Sequence, residues 1–364
     1  MQGGIQPRRV VVVGGGVMGC AVAAELAKTG CAVTLLERDD LAGQASGRNA
    51  GKLNPLYATP SNLLPLALEA FSAHAGLRTE LATAGCGDFG LQPVIRIFLR
   101  GETDKDGLEA LEALHARTPG FSSKWLDRSD LRQLEPRLTH AVTGGLLTEG
   151  ALSVDGQAFT CCLAQAASKF GATVLREAAV GVSVAADRVT QVRTCQGPIE
   201  CDDVVFATGP WIADLQSWLG VTVPVRASWG ALLVLRPAKS GLGCDLTWGP
   251  TSLHRRSDGL VSIGAMEPNP GAPAARETWE RLRSGGAALL PELAHWAIVD
   301  RIAADRPMTE GNTPIAARAP GWANAYVANG GGSKGLLLSA LVAQRIRGLV
   351  AGDPVEALGG DLMA

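Results

Sequence analysis

The hydrophobic positions of this chain gather into short runs separated by glycine-rich or charged turns, and the first run sets the pattern. Val10 to Val13 leads straight into Gly14-Gly15-Gly16-Val17-Met18-Gly19. A small-residue segment with Ala21, Ala23, Ala24 and Ala27 continues to Gly30, and a second apolar run, Ala32 to Leu36, ends on Glu37. An unbroken apolar run of this length predicts a strand. The small residues predict a helix packed closely upon it, so the stretch reads strand, tight turn, helix, strand, carboxylate.

The later pattern predicts further elements in order. Asn62 to Leu81 repeats apolar residues at helical spacing (Leu63, Leu66, Ala67, Ala70, Phe71), and Phe89 to Leu99 reads as sheet. Leu108 to His115 is a short amphipathic helix, and Asp127 caps another that Pro136 stops. A helix over Phe159–Phe170, a strand over Thr173–Leu175 and a hairpin-like pair, Val180–Ala185 and Val189–Thr194, follow. Val204 to Ala207 is an apolar strand that ends at Thr208-Gly209-Pro210-Trp211. Val223–Arg236 and Leu260–Gly264 are strand candidates, separated by turn-rich sequence that holds His254-Arg255-Arg256, and Thr278–Leu290 is helical. A strand over Ala325–Ala328, the cluster Gly330–Gly335 and a helix over Leu336–Leu349 close the pattern. Strands alternating with helices predict an α/β protein whose middle is more antiparallel.

Composition narrows the function classes. A chain of 364 residues makes one large or two ordinary domains. With 46% hydrophobic and 19% charged residues it reads as globular, and a net charge of −2 gives no footprint for nucleic acid or an anionic membrane. Nothing approaches the roughly 18 apolar residues of a membrane span, and the first nine residues carry no signal-peptide pattern, so a cytoplasmic address is expected. The eight cysteines show no metal-ligand spacing and no metal is expected; vicinal Cys161-Cys162 reads as packing within a helix.

The candidate chemistry starts at the first turn. Gly14 allows the sharp bend, Gly16 admits backbone N–H groups to a pyrophosphate, and Gly19 lets helix and strand approach. The helix N-terminus adds unpaired donors, and Glu37 has the spacing of a carboxylate that accepts from an adenosine ribose. These features predict a bound dinucleotide without choosing between a nicotinamide and a flavin. The polar run Ala42 to Gly51 is either a plain surface loop or a second loop over the same cofactor, with Ser46, Arg48 and Asn49 as hydrogen-bonding groups. Lys334, a cation at a helix N-terminus, is unfavourable by about 0.3–1 kcal/mol, so it either meets a compensating anion or reaches solvent.

Five segments in this order resemble the flavin-dependent amino-acid and amine oxidases related to D-amino-acid oxidase, glycine oxidase and sarcosine oxidase. They are Val12–Gly19 with Glu37, Ala45–Gly51, Val205–Trp211, Arg306-Pro307, and Gly330–Gly335 with Leu336-Leu337-Leu338. The resemblance spans nearly the whole chain. It implies non-covalent FAD bound by Gly14, Gly16, Val17, Met18, Gly19, Glu37, Arg38, Ser46, Arg48, Asn49, Ala50, Gly51, Ala207, Thr208, Gly209, Trp211, Gly331, Gly332, Ser333, Lys334 and Gly335.

The fold it implies is a Rossmann-like FAD-binding domain (1–84, 151–220 and 305–364) interleaved with an α+β substrate domain (85–150 and 221–304) whose mixed sheet is largely antiparallel. Arg306 would grip a substrate carboxylate, Lys334 would answer the charge of reduced flavin or of the substrate, and His254 would line the substrate cavity. The implied reaction is oxidation of the C–N bond of a small amino acid or N-substituted glycine, with oxygen or another acceptor taking the electrons. A dehydrogenase feeding a quinone, carrier protein or partner subunit is the alternative; a tRNA-modification-type flavin domain or a non-catalytic FAD-binding subunit stands behind it. An oligomer is compatible with all of these. The family's active-site tyrosine in the substrate domain has no counterpart, because Tyr57 and Tyr326 are the only tyrosines.

Overall fold

The computed structural model describes residues 6–102, 107–265, 276–359 and 362. Two large sheets organise it. The first has six strands in the order Ile315–Arg318, Ala325–Asn329, Asp203–Phe206, Arg9–Val13, Ala32–Glu37, Thr173–Arg176. Its strands run parallel except at the Ile315–Arg318 edge, which is antiparallel. Val10 and Val12 enter one apolar cluster and Val11 and Val13 another, so the four-valine run is buried on both faces as its lack of alternation requires.

Helix Val17–Lys28 lies on one of those faces beside Gly156–Lys169 and Gly335–Ala351. Its small residues permit this closeness: a Cβ on Gly19 would stand 1.9 Å from the carbonyl oxygen of Gly14. Gly14 itself has φ +113°, and a Cβ there would meet the Ala207 carbonyl oxygen at 2.4 Å. The turn is therefore wedged against the end of the neighbouring strand Asp203–Phe206.

The second sheet has nine strands. Its path is Ala297–Met308, Arg226–Arg236, Val261–Ala265, Thr251–Arg255, Asp245–Trp248, Gln92–Gly101, Val142–Ser153, Lys52–Leu53, with Ser122–Asp127 also paired to Val142–Ser153. Every pairing is antiparallel except that of Asp245–Trp248 with Gln92–Gly101. Leu233, Leu253 and Ile263 build a third cluster with Trp279, Leu282 and Leu293, which covers one face of this sheet. The other face is turned to the cavity described below. The fold is thus a parallel, helix-covered sheet joined to a mixed, largely antiparallel one.

Six strands of the second sheet are not among those the sequence pattern predicts: Lys52–Leu53, Ser122–Asp127, Val142–Ser153, Asp245–Trp248, Thr251–Arg255 and Ala297–Met308. Val142–Ser153 contains three glycines, which depress strand propensity. They serve close packing instead, since a Cβ on Gly145 would lie 2.7 Å from the Phe98 carbonyl oxygen of the adjacent strand. Ala297–Met308 contains Pro307, which is tolerated because this strand lies at the sheet edge. Ser122–Asp127 is half polar, as befits a strand with one neighbour. Thr251–Arg255, expected as turn-rich sequence, is a buried strand between two others. No helix among the described residues is long and apolar enough to cross a membrane.

Candidate active site

A cavity of about 1230 Å³ runs from the first glycine turn to the open face of the nine-stranded sheet. At its nucleotide end the sequence motif is assembled as a unit. Glu37 Oε2 accepts from the Gly15 N–H at 2.6 Å, and its other oxygen accepts from Asp39 N–H at 2.9 Å. Ser46 Oγ accepts from the Val17 N–H at 2.9 Å, so the second loop folds back over the start of the helix. Gly16 lines the cavity, and a Cβ there would crowd only Ser46 Oγ, at 3.2 Å. Arg38 stacks over the Trp211 ring at 4.4 Å, forming a flat platform beyond Glu37.

Most residues singled out in the sequence meet at this cavity. Gly14, Gly16, Val17, Met18, Glu37, Arg38, Ser46, Arg48, Asn49, Ala50, Ala207, Thr208, Gly209, Trp211, Gly331, Gly332, Ser333, Lys334, Gly335, His254 and Arg306 all line it. Gly19 and Gly51 do not. Gly19 is consumed by helix–strand packing, and Gly51 (φ +69°) lies where a Cβ would stand 1.8 Å from the Val154 carbonyl oxygen. Asn49 spends its side chain inside its own loop, donating to Ala45 and Ser46 carbonyls and accepting from Gly51 N–H. Arg48 donates to the Ala303 carbonyl at 3.3 Å and so ties that loop to the nine-stranded sheet.

The residues fit an extended FAD. Apart from the Val17 N–H, which Ser46 holds, the helix from Val17 has no N-cap side chain on its first-turn amides, which leaves them for a pyrophosphate, and the N-cap residue of the helix from Gly335 likewise supplies no side-chain cap. The buried Thr208 hydroxyl on the cavity wall has no partner in the protein. Asn329 joins the two later turns, donating to the Gly209 carbonyl and accepting from Gly330 N–H. Among the described residues no cysteine lines the cavity. Among the described residues no cluster of side chains could hold a metal.

At the far end the sheet presents a basic wall. Arg306 is held loosely by the Trp229 carbonyl (3.3 Å) and the Ser228 carbonyl (3.5 Å). Among the described residues no carboxylate pairs with it, and burial lowers the pKa of its guanidinium. The Lys334 ammonium is buried and does not reach solvent. Its Nζ donates to the carbonyls of Asn54 (2.8 Å) and Tyr57 (2.6 Å), and burial, helped by the Arg96 charge, brings its pKa down to about 7.

His254 belongs to a buried group that sequence reasoning missed. Asp245 Oδ2 lies 2.9 Å from Lys52 Nζ, 2.9 Å from Arg96 Nη2 and 3.4 Å from His254 Nδ1, while Oδ1 accepts from the Arg255 N–H. Burial works to raise the Asp245 carboxyl, but the His254 hydrogen bond and the Lys52 and Arg96 charges outweigh it and hold the group well below the usual carboxylate range. Burial likewise lowers the Lys52 ammonium and takes His254 down to about 4, so the imidazole is neutral near pH 7. Its Nδ1 lies between the Asp245 carboxylate and the Arg96 guanidinium, 3.3 Å from Arg96 Nη2, and its Nε2 lies beside Gly264 on the cavity wall. The signal for Arg96 was present in the sequence as the lone charge in Val94-Ile95-Arg96-Ile97-Phe98, on the same side as Val94 and Phe98. Lys52 directly follows the second loop.

Known proteins place this architecture. Residues 9–349 match the DAO family, described as FAD dependent oxidoreductase. The glycine oxidase of Pseudomonas aeruginosa is 29% identical over 95% of this chain and 96% of its own length. The crystal structure of glycine oxidase from Geobacillus kaustophilus superposes with a TM-score of 0.86 at 26% identity, covering 96% of each chain. The iminodiacetate oxidase of Chelativorans sp. BNC1 shares the fold at a TM-score of 0.85 and 23% identity, again over 96% of each chain. This chain therefore belongs to the DAO family of FAD-dependent oxidoreductases, with FAD held non-covalently.

Proposed function

We propose that this enzyme oxidises the C–N bond of an amino acid or N-substituted glycine. The amine gives up a hydride from carbon and a proton from nitrogen, and water converts the imine to an oxo acid and a free amine. FAD, when bound, supplies the two-electron acceptor. The observation that carries this reading is Arg306: a largely buried guanidinium on the cavity wall, two weak carbonyl contacts its only ties, and no carboxylate beside it among the described residues. Its planar fork suits a substrate carboxylate.

The wall also prepares the amine. Lys52, Arg96 and Arg306 create a positive field that disfavours a substrate ammonium and so favours the neutral amine from which hydride leaves. No dedicated base is then needed. Similarity to glycine oxidases supports a compact substrate. In this reading the six-stranded sheet and its helices hold the cofactor, and the nine-stranded sheet with its Arg306 edge forms the substrate side.

The test is anaerobic. Purified protein carrying FAD should bleach when mixed with the correct amine, and peroxide formed on readmitting air would identify oxygen as acceptor. Failure of every amino acid and secondary amine in such a screen to bleach the flavin would overturn the assignment.

A further inference from the structure

The cavity wall carries a second group of cationic side chains besides Arg306. Lys52 and Arg96 share the single carboxylate of Asp245, which they both approach through Oδ2. Arg96 is 4% exposed, yet its Nε has no hydrogen-bond partner. His254 adds no negative charge, and Lys334, which feels the Arg96 charge, has only carbonyl partners. Both Lys52 and Arg96 line the cavity, whereas Asp245 lies behind them. The neutralising partner is therefore on the far side of the pair from the space a ligand would fill.

This group is distinct in position from Arg306. The Arg96 head lies 3.3 Å from His254 Nδ1 on strand Thr251–Arg255. The Arg306 head lies over Gly230 on strand Arg226–Arg236, where a Cβ would stand 3.1 Å from its Nε. Only strand Val261–Ala265 separates those two strands, and beside His254 Nε2 it offers Gly264, over which the Leu232 side chain packs, its Cδ2 3.0 Å from where a Cβ would stand. Two strand spacings amount to roughly 10 Å across the sheet, and the register, His254 opposite Ser262 and Ser262 opposite Val234, sets Gly230 a further four residues along its strand. A glycine-sized molecule held by Arg306 leaves the second group unmet; a molecule with another anion several bonds away meets both.

We propose that the substrate is a dicarboxylic amine, with one carboxylate on Arg306 and the second on Lys52 and Arg96. This rests on the reading of the cavity as an amine-oxidising site and narrows its substrate class. Lys52 and Arg96 are then specificity-determining residues, with Asp245 and His254 as positioning residues that fix their heads.

The test uses the FAD-loaded enzyme and two non-oxidisable pairs at equal ionic strength: diglycolate against methoxyacetate, and glutarate against butyrate, each followed by perturbation of the flavin visible spectrum. The dianions should bind at least about tenfold more tightly, and Lys52→Met should narrow that ratio by roughly tenfold. Equal binding of dianion and monoanion by the unaltered enzyme would overturn the proposal, whether or not the variant folds. The same enzyme is then mixed anaerobically with aspartate, glutamate and iminodiacetate, and with glycine, alanine and sarcosine. Bleaching by monocarboxylic amines alone would overturn the second-anion site and keep the amine-oxidation reading. Preferential dianion binding with no bleaching by any amine would keep the site and remove the reading.

Discussion

Lys334 donates from Nζ to the backbone carbonyl of Tyr57 at 2.6 Å, across 277 residues of sequence. With the Asn54 carbonyl it clamps the segment after strand Lys52–Leu53 to the start of the last helix. Burial lowers its pKa from 10.5 to about 7, so the folded protein releases a proton that the unfolded chain keeps. Between those values the unfolded state binds more protons, and stability rises with pH. Lys334→Met removes this contribution. The unfolding free energy of the unaltered protein minus that of the variant should increase from pH 7 to pH 10, measured by urea denaturation at fixed FAD. A difference independent of pH would refute the buried, partly neutral lysine.

Arg306 offers a cleaner test of substrate recognition. Arg306→Ala deletes the fork, and Arg306→Lys keeps a charge without the bidentate geometry. Loss of a hydrogen bond to a charged group costs about 1.5–3 kcal/mol, or roughly ten- to a hundredfold. The half-saturating amine concentration for anaerobic flavin reduction should rise by that factor in the alanine variant and by less in the lysine variant. FAD content should be unchanged in both, because the contacts of Arg306 are to the Ser228 and Trp229 carbonyls of the second sheet. Unaltered reduction by the alanine variant would remove Arg306 from the site.

The parallel half of the fold was legible because each of its elements carries its own local signal. Val10–Val13, Gly14–Gly19 and Glu37 specify strand, turn, helix and acid within a few dozen residues, and the strand before Thr208 and the helix after Lys334 announce themselves in the same way. The second sheet was partly hidden. Val142–Ser153 gives no strand signal because of its glycines, and its pairing with Gln92–Gly101 makes sense of them. The basic wall was hidden for a related reason. Lys52, Arg96, Asp245 and His254 come from four strands, and no spacing along the chain brings them together. Glycine motifs are visible in sequence because they solve a local steric problem; a charge cluster is visible only once the register is known.

His254 should not govern the pH profile of catalysis near neutrality. Its imidazole is buried and neutral down to about pH 4, whereas in the unfolded chain it takes up a proton near pH 6.5. The unfolded state therefore binds more protons between pH 6.5 and 4, and stability falls as the pH drops through that range. His254→Asn removes that part of the acid sensitivity. Denaturation midpoints of the unaltered protein should fall more steeply than those of the variant between pH 6.5 and 4.5, while the rate of flavin reduction shows no ionisation lost in the variant between pH 6 and 8. An acid limb near pH 6.5 that disappears in His254→Asn would show a titrating, solvent-connected imidazole instead.

The glycines of the first turn separate folding from cofactor binding. A Cβ on Gly19 would overlap the Gly14 carbonyl oxygen at 1.9 Å, with backbone on both sides of the contact. Gly19→Ala must push the helix off the sheet, so the soluble yield and melting temperature should fall together with FAD content. A Cβ on Gly16 meets only Ser46 Oγ at 3.2 Å and otherwise projects into the cavity. Gly16→Ala should keep the apoprotein melting temperature within about 3 °C, a change on the order of 1 kcal/mol, and weaken FAD binding by at least about tenfold through exclusion of the pyrophosphate. The two variants differ by three residues in one motif, and thermal melts with and without added FAD distinguish them. Equal FAD affinity in Gly16→Ala and the unaltered enzyme would mean that the pyrophosphate does not approach this turn.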